Sequence, residues 1–262
     1  MNNNILRIQK GLNRLGLFAK LTEDGINGPQ TSATLNKYKV WKSTQPKGPD
    51  VSAYQPHIDW DKLSKSADFI IMRSSVSLSK DKLFKEHWSK AGAAGLKRGA
   101  YHFFVHWQDP IKQAELVVSQ LGDDTGDFPV FLDVEAVAPK AKKGQPAPKP
   151  ASSSELISKV KACLEALEIL TGVKPIIYTY SAFSQAHKLG YVFGKEYKVW
   201  MADYREGPST LERDWKQVIG HQWIGDQGRF EGVEGPCDCN YLEVKLEEVL
   251  VASCQTTPQP SL

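Results

Sequence analysis

Between residues 49 and 242, short apolar runs alternate with stretches of helical periodicity, and few folds accommodate that pattern. The runs are Asp50–Ser52, Phe69–Arg73, Ala100–Phe104, Val130–Asp133, Pro175–Tyr180, Val199–Ala202, Ile219–Trp223 and Asp238–Leu242. Helical stretches follow the second, third and fourth runs at Lys82–Gly95, Pro110–Leu121 and Ser154–Thr171; the last opens on a capping box, Ser152-x-x-Glu155. Connections between the later runs are shorter. The pattern predicts an α/β fold, a TIM-like (β/α) barrel. Roughly 195 residues is short for eight complete outer helices, so some should be missing.

Ahead of the barrel, Ile5, Ile8, Leu12 and Leu15 recur at helical spacing and Gly16 suits a C-terminal stop. Asp24-Gly25-Ile26-Asn27-Gly28-Pro29 reads as a tight turn that opens another helix carrying Thr31, Leu35 and Tyr38. Residues 1–41 are expected to form a small three-helix all-α module with little core of its own. Residues 42–48, polar with Pro46 and Gly48, read as a linker. Residues 49–250 are expected to make the barrel, and 251–262 a disordered tail. The segment 139–150 carries four lysines, several prolines and no acids. It follows the fourth run directly, as either a basic lip at the barrel mouth or a solvated loop.

The net charge of +3 is unevenly spread: residues 1–47 hold eight Lys or Arg against two acids, leaving −3 for the rest. A basic head suits a polyanionic partner or is a solvated face. No aromatic–basic interleaving or helix-turn-helix pattern supports nucleic acid as that partner. No apolar run reaches membrane-spanning length, and Ile5–Leu17, broken by Arg7, Gln9, Lys10 and Arg14, is not a signal-peptide core. The chain is therefore expected to fold in a cytoplasm, as a monomer. Cys163, Cys237, Cys239 and Cys254 lack metal-ligand spacing and read as free thiols. With no His-Glu-x-x-His pattern, no metal or other cofactor is expected.

Acids at the ends of apolar strands give the chemistry. Asp133-Val134-Glu135 ends the run from Phe128. Residues two apart on a strand face one way, so the two carboxyls should share a surface, about 6–7 Å apart at the backbone. Two such acids repel when both are ionised, which raises one proton affinity and marks a general acid. Asp50 opens the barrel and Asp238 opens its last strand. In a closed barrel first and last strands are neighbours, so these two can sit side by side; each taken alone reads rather as a turn or cap residue.

These pieces, taken in order, resemble glycoside hydrolase family 25, the lysozymes that cut between N-acetylmuramic acid and N-acetylglucosamine. The set is Asp50-Val-Ser52-x-x-Gln55 with Ile58-Asp59-Trp60, Gly99-Ala-Tyr101-His102-Phe103, Asp133-x-Glu135, Pro175-x-Ile177-Tyr178-Thr179, Trp200-Met201-Ala202-Asp203-Tyr204, Gln222-Trp223 and Asp238-x-Asn240. Arg73-Ser74-Ser75 and the lysine-rich insertion depart from the family pattern. The resemblance implies Glu135 as general acid and Asp133 as the carboxylate that attacks or orients the substrate acetamido group. It makes Asp50 and Asp238 supporting acids, and Tyr101, Tyr178, Trp200, Gln222 and Asn240 sugar-binding residues, with core packing the alternative for each aromatic. It implies net retention and an ionised Asp133, and leaves the covalent and acetamido-assisted routes open. Leu6-x-x-Gln9-x-x-Leu12-x-x-Leu15-Gly16 followed by Asp24-Gly25-x-x-Gly28-Pro29-x-Thr31 is similar to the three-helix peptidoglycan-binding module found beside many wall hydrolases.

The implied partner is the bacterial peptidoglycan glycan strand. Without an export signal, the expectation is a bacteriophage endolysin held in the host cytoplasm until a partner opens the inner membrane. The competing readings are a catalytically inactive wall-binding protein and a wall amidase or peptidase. The last would want zinc ligands or a Cys/His pair.

Overall fold

The computed structural model describes residues 1–137, 150–209 and 214–251. Two N-terminal helices, α1 (Asn3–Leu15) and α2 (Pro29–Ser43), precede an alternating series. It runs β1 (Lys47–Val51), α3 (Trp60–Ser66), β2 (Phe69–Val76), β3 (Ser79–Lys80), α4 (Phe84–Ala93), β4 (Lys97–Phe103), α5 (Pro110–Leu121), β5 (Phe131–Asp133) and α6 (Ser153–Thr171). It continues with β6 (Ile176–Tyr180), α7 (Ser181–His187), α8 (Leu189–Phe193), β7 (Val199–Ala202), β8 (Val218–Ile224) and β9 (Asp238–Leu242). Apart from the two-residue β3, which pairs with the end of β2, the strands close into a barrel in the order β1-β2-β4-β5-β6-β7-β8-β9, with β9 returning to β1. The eight runs of the sequence are its eight staves. Among the described residues no helix joins β7 to β8 or β8 to β9.

All staves but one are parallel; β9 runs antiparallel to both β8 and β1. A parallel neighbour needs a crossover, usually a helix. The β8–β9 connection makes no crossover and the chain turns back. The reversal decides where one acid lies. In an all-parallel barrel the first residue of the last strand would sit at the end opposite Asp133. Reversed, Asp238 pairs directly with Asp50 at the mouth formed by the strands' C-terminal ends.

Strand alternation divides the apolar residues into two layers. Phe69, Ile71, Phe131, Ile176, Trp200, Ile219 and Leu242 fill the barrel interior. Ile70, Met72, Leu132, Ile177, Val199 and Met201 face the outer helices, against Trp88, Val117, Leu164 and Leu167. The interior is tight enough to dictate one glycine: a Cβ on Gly220 would lie 2.2 Å from the Trp200 ring. Either indole or methyl fits there, not both.

The N-terminal segment corrects two expectations. It holds two helices, not three. Residues 17–28 form a loop pinned by side chains: Asn13 exchanges hydrogen bonds with the Leu21 backbone at 2.7 and 2.9 Å. Buried Gln9 accepts from Gly25 N–H at 2.9 Å and donates to Asp24 at 2.8 Å. Those side-chain bonds satisfy the backbone that a third helix would otherwise have satisfied, and Gly25 adopts φ +71°, outside helical geometry. Nor is 42–48 a free linker. Lys42 and Ser43 end α2, Lys47 and Gly48 begin β1, and Pro46 C=O accepts from Leu242 N–H at 2.9 Å. Most of the lysine-rich insertion and the tail after Val251 lie outside the described residues. No described helix is long and apolar enough to cross a membrane.

Candidate active site

The barrel mouth opens into a pocket of about 220 Å³ whose lining includes Asp50, Asp133, Glu135 and Asp238. Each acid arrives from a different part of the closure. Asp133 is the last residue of β5 and points inward because Phe131, two residues earlier, fills the interior. Glu135 lies two residues further on and lines the same pocket, as the alternation predicts. Asp50 and Asp238 face each other across the β1–β9 pair.

Buried amides organise the second pair. Asp50 Oδ2 accepts from Gln222 Nε2 and from Asn240 Nδ2, each at 2.8 Å. Gln222 Nε2 also reaches Asp238 Oδ2 at 3.1 Å. With both amide hydrogens aimed at carboxylates, Gln222 turns its Oε1 to two phenols, Tyr178 at 2.7 Å and Tyr204 at 2.6 Å. Trp200 Nε1 donates to Asn240 Oδ1 at 2.9 Å, fixing that amide. Trp200 is 1% exposed and packs edge-on against Phe69 and Phe131. Sequence resemblance cast it as a sugar-contacting ring. The structure makes it the pocket floor, because the interior of a small barrel must be filled by side chains. Gln222 and Asn240 are equally buried and act on the acids rather than presenting open faces. Tyr101 and Tyr178 are half-buried in the wall.

Asp133 and Glu135 are held differently. Asp133 is 6% exposed, and its Oδ1 has no hydrogen-bond partner among the described residues. Burial, then the charges of Glu135, Asp50 and Asp238, push its proton affinity well above the ordinary carboxyl range; Arg73 opposes them. Glu135 is nearer the opening, and burial with Asp50 and Asp226 raises it from 4.5 to about 7. Asp238 rises to about 8, through burial and then Asp50. Where the sequence suggests one raised and one ionised carboxyl, burial and mutual repulsion in the free pocket raise all four acids. Arg73, the one cation on the lining among the described residues, is partly neutralised by Asp81, to which it bonds at 2.8 and 2.9 Å.

Tyr204 and Asp226 are among the lining or contacting residues that the sequence reading did not assign to the site. Tyr204 stands beside Asp203 in a quoted motif, yet its role depends on a bond to Gln222, eighteen positions away and one strand over. Asp226 lies on the β8–β9 connection, where no periodicity marks it.

The family model described as "Glycosyl hydrolases family 25" matches residues 49–233. YegX of Escherichia coli K12 is 33% identical over 211 residues, covering 77% of this chain and 71% of YegX. An autolytic lysozyme of Clostridium acetobutylicum is 25% identical over 194 residues, 73% of this chain and 54% of that protein. Among solved structures, a family 25 glycosyl hydrolase from Bacillus anthracis superposes with a TM-score of 0.65 at 25% identity, covering 78% of this chain and 91% of that one. A bacterial lysozyme from Streptomyces coelicolor shares the fold, with a TM-score of 0.67 at 20% identity over 79% of this chain and 96% of that one. With a barrel closed around four carboxyl groups and the family model spanning most of that barrel, this chain belongs to glycosyl hydrolase family 25 and is a glycoside hydrolase of the muramidase kind.

Proposed function

We propose that the enzyme hydrolyses the β-1,4 bond between N-acetylmuramic acid and N-acetylglucosamine in peptidoglycan, with Glu135 as general acid and Asp133 as its partner carboxyl. Glycoside cleavage needs a proton for the leaving oxygen and a negative group near the anomeric carbon. Glu135 meets the first need: it lies toward the opening, and with a proton affinity near 7 it still carries the proton around neutrality.

The observation that carries the assignment of Asp133 is its unpartnered, buried Oδ1. An orphaned acceptor in a pocket costs free energy unless a ligand supplies the donor. An acetamido N–H on the sugar is such a donor. A carboxyl so reluctant to ionise is a poor free nucleophile, and a substrate N–H together with positive charge growing at the anomeric carbon would draw it into its charged form. This favours acetamido assistance, with Asp133 orienting the group, over direct attack. Asp50 and Asp238, joined through Gln222, shape the mouth, and Asn240 fixes Asp50 in place. Tyr101 and Tyr178 supply the wall against which a sugar ring lies.

Purified peptidoglycan digested by the wild type should yield new reducing sugar ends and no new free amino termini. Glu135→Gln should abolish them while the protein stays folded. Amino termini instead of reducing ends would return the amidase reading.

A further inference from the structure

The basic N-terminal helices spend their arginines on the barrel. Arg14 forks onto Glu243, just past β9, at 2.7 and 2.8 Å, and also donates to the Ser209 backbone at 3.1 Å. Arg7, 9% exposed, lies 3.8 Å from Asp203 and donates to the carbonyls of Glu206 and Pro208. Gly11 has no side chain where α1 crosses this loop; a Cβ there would stand 2.8 Å from the Pro208 carbonyl oxygen. The loop beyond β7, residues 203–209, is thus clamped from outside by α1. Its second residue is Tyr204, the phenol that bonds Gln222.

A second path starts on α2. The Tyr38 hydroxyl meets Tyr241 at 2.9 Å, Tyr241 meets His221 Nδ1 at 2.7 Å, and His221 Nε2 meets the Asp203 carbonyl at 2.7 Å. The direction of each bond can be worked out. Burial lowers His221 to about 4, so the ring is neutral with one N–H. A carbonyl only accepts, so that hydrogen is on Nε2. Nδ1 therefore accepts from Tyr241, and Tyr241 accepts from Tyr38. The chain of donors ends at Asp203 and passes through His221, the residues immediately before Tyr204 and Gln222. Asp203 N–H also donates to the Gln222 carbonyl at 3.1 Å.

We propose that the N-terminal helices are a brace of the catalytic mouth, with Arg7 and Tyr38 as positioning residues that hold Tyr204 and Gln222 against Asp50 and Asp238. The inference rests on the muramidase reading, and it differs from a wall-gripping role for the same segment. A grip matters only on insoluble wall. A brace matters on every substrate.

The test uses the full chain on two substrates, purified walls and a soluble, peptide-free oligosaccharide of the same glycan. Arg7→Met should lower kcat on the soluble oligosaccharide about tenfold, since sub-ångström misplacement of an active-site group costs about that much, with KM changed far less. Tyr38→Phe, which removes one hydroxyl and keeps the ring, should lower it by about threefold. If the brace acts through Tyr204, then in a Tyr204→Phe background Arg7→Met should cost little more. Hydrogen exchange should quicken at residues 203–209 in both single variants, a readout independent of turnover. Lys10→Ala, at an exposed position on α1, should leave soluble-substrate activity unchanged. Loss on walls alone, additive effects with Tyr204→Phe, or unchanged exchange at 203–209 would each overturn the brace. Failure of the wild type to release reducing ends from either substrate would strike the muramidase reading instead, and the exchange measurement would still decide the brace.

Discussion

Glu135 should impose an alkaline limb on activity near pH 7. Its proton affinity rises from 4.5 to about 7, a factor of roughly 300 in binding a proton. At pH 7 about half of the free enzyme then holds the proton that the leaving oxygen requires. An ordinary carboxyl would hold it in about 0.3% of molecules, so the pocket is worth on the order of 150-fold in competent enzyme at neutrality. Because an acid must be protonated to act, the rate should be lost as pH rises through the folded value. The assay is kcat/KM against pH on a soluble glycan, which reports the free enzyme, fitted between pH 4 and 9. Glu135→Gln should lower the plateau by about 10²–10⁴-fold, the usual contribution of a positioned acid, and remove the limb from any residual rate. A limb near 4.5, or a glutamine variant within about threefold of wild type, would refute both the assignment and the electrostatic argument behind it.

Three further outcomes follow from the same geometry. Asp133→Asn should abolish activity yet raise the melting temperature at pH 8 by roughly 2–6 °C, because it removes a buried carboxyl whose Oδ1 has no partner. The sign follows from linkage: burial and the neighbouring acids raise the Asp133 proton affinity in the folded state, so its contribution to stability is present below the unfolded value and lost as pH climbs, and the gain from Asp133→Asn should shrink at pH 4. Asp226→Asn, by removing a negative charge that favours the proton on Glu135, should move the alkaline limb to lower pH; an unmoved limb in the same titration would contradict the attribution. Trp200→Phe should cost about 1–3 kcal/mol in denaturant unfolding, since it strands the Asn240 amide oxygen that the indole N–H satisfies.

Much of this protein was legible in its sequence, because strand and helix periods are local. Phe69 to Arg73 alternates inward and outward whatever surrounds it, Pro110 starts α5 and Gly16 ends α1, and the eight apolar runs became the eight staves. The same local rule put Asp133 and Glu135 on one surface before any contact was known. Quantities that depend on closure were not legible. The sequence marked Asp238 as the start of a strand, but only the antiparallel return of β9 brings it to Asp50. It marked Trp200 as an aromatic, but only the inward packing of the barrel makes it a floor. It read residues 42–48 as a linker and the basic head as suited to a polyanion or a solvated face, yet a polar run and a positive charge say nothing about what lies opposite. Docking spends Arg7 and Arg14 on Asp203 and Glu243, nearly two hundred or more residues away. Periodicity chooses the elements and their faces over a few residues. Proton affinities, orphaned oxygens and the partners of surface charges depend on distances that exist only once the chain has closed on itself.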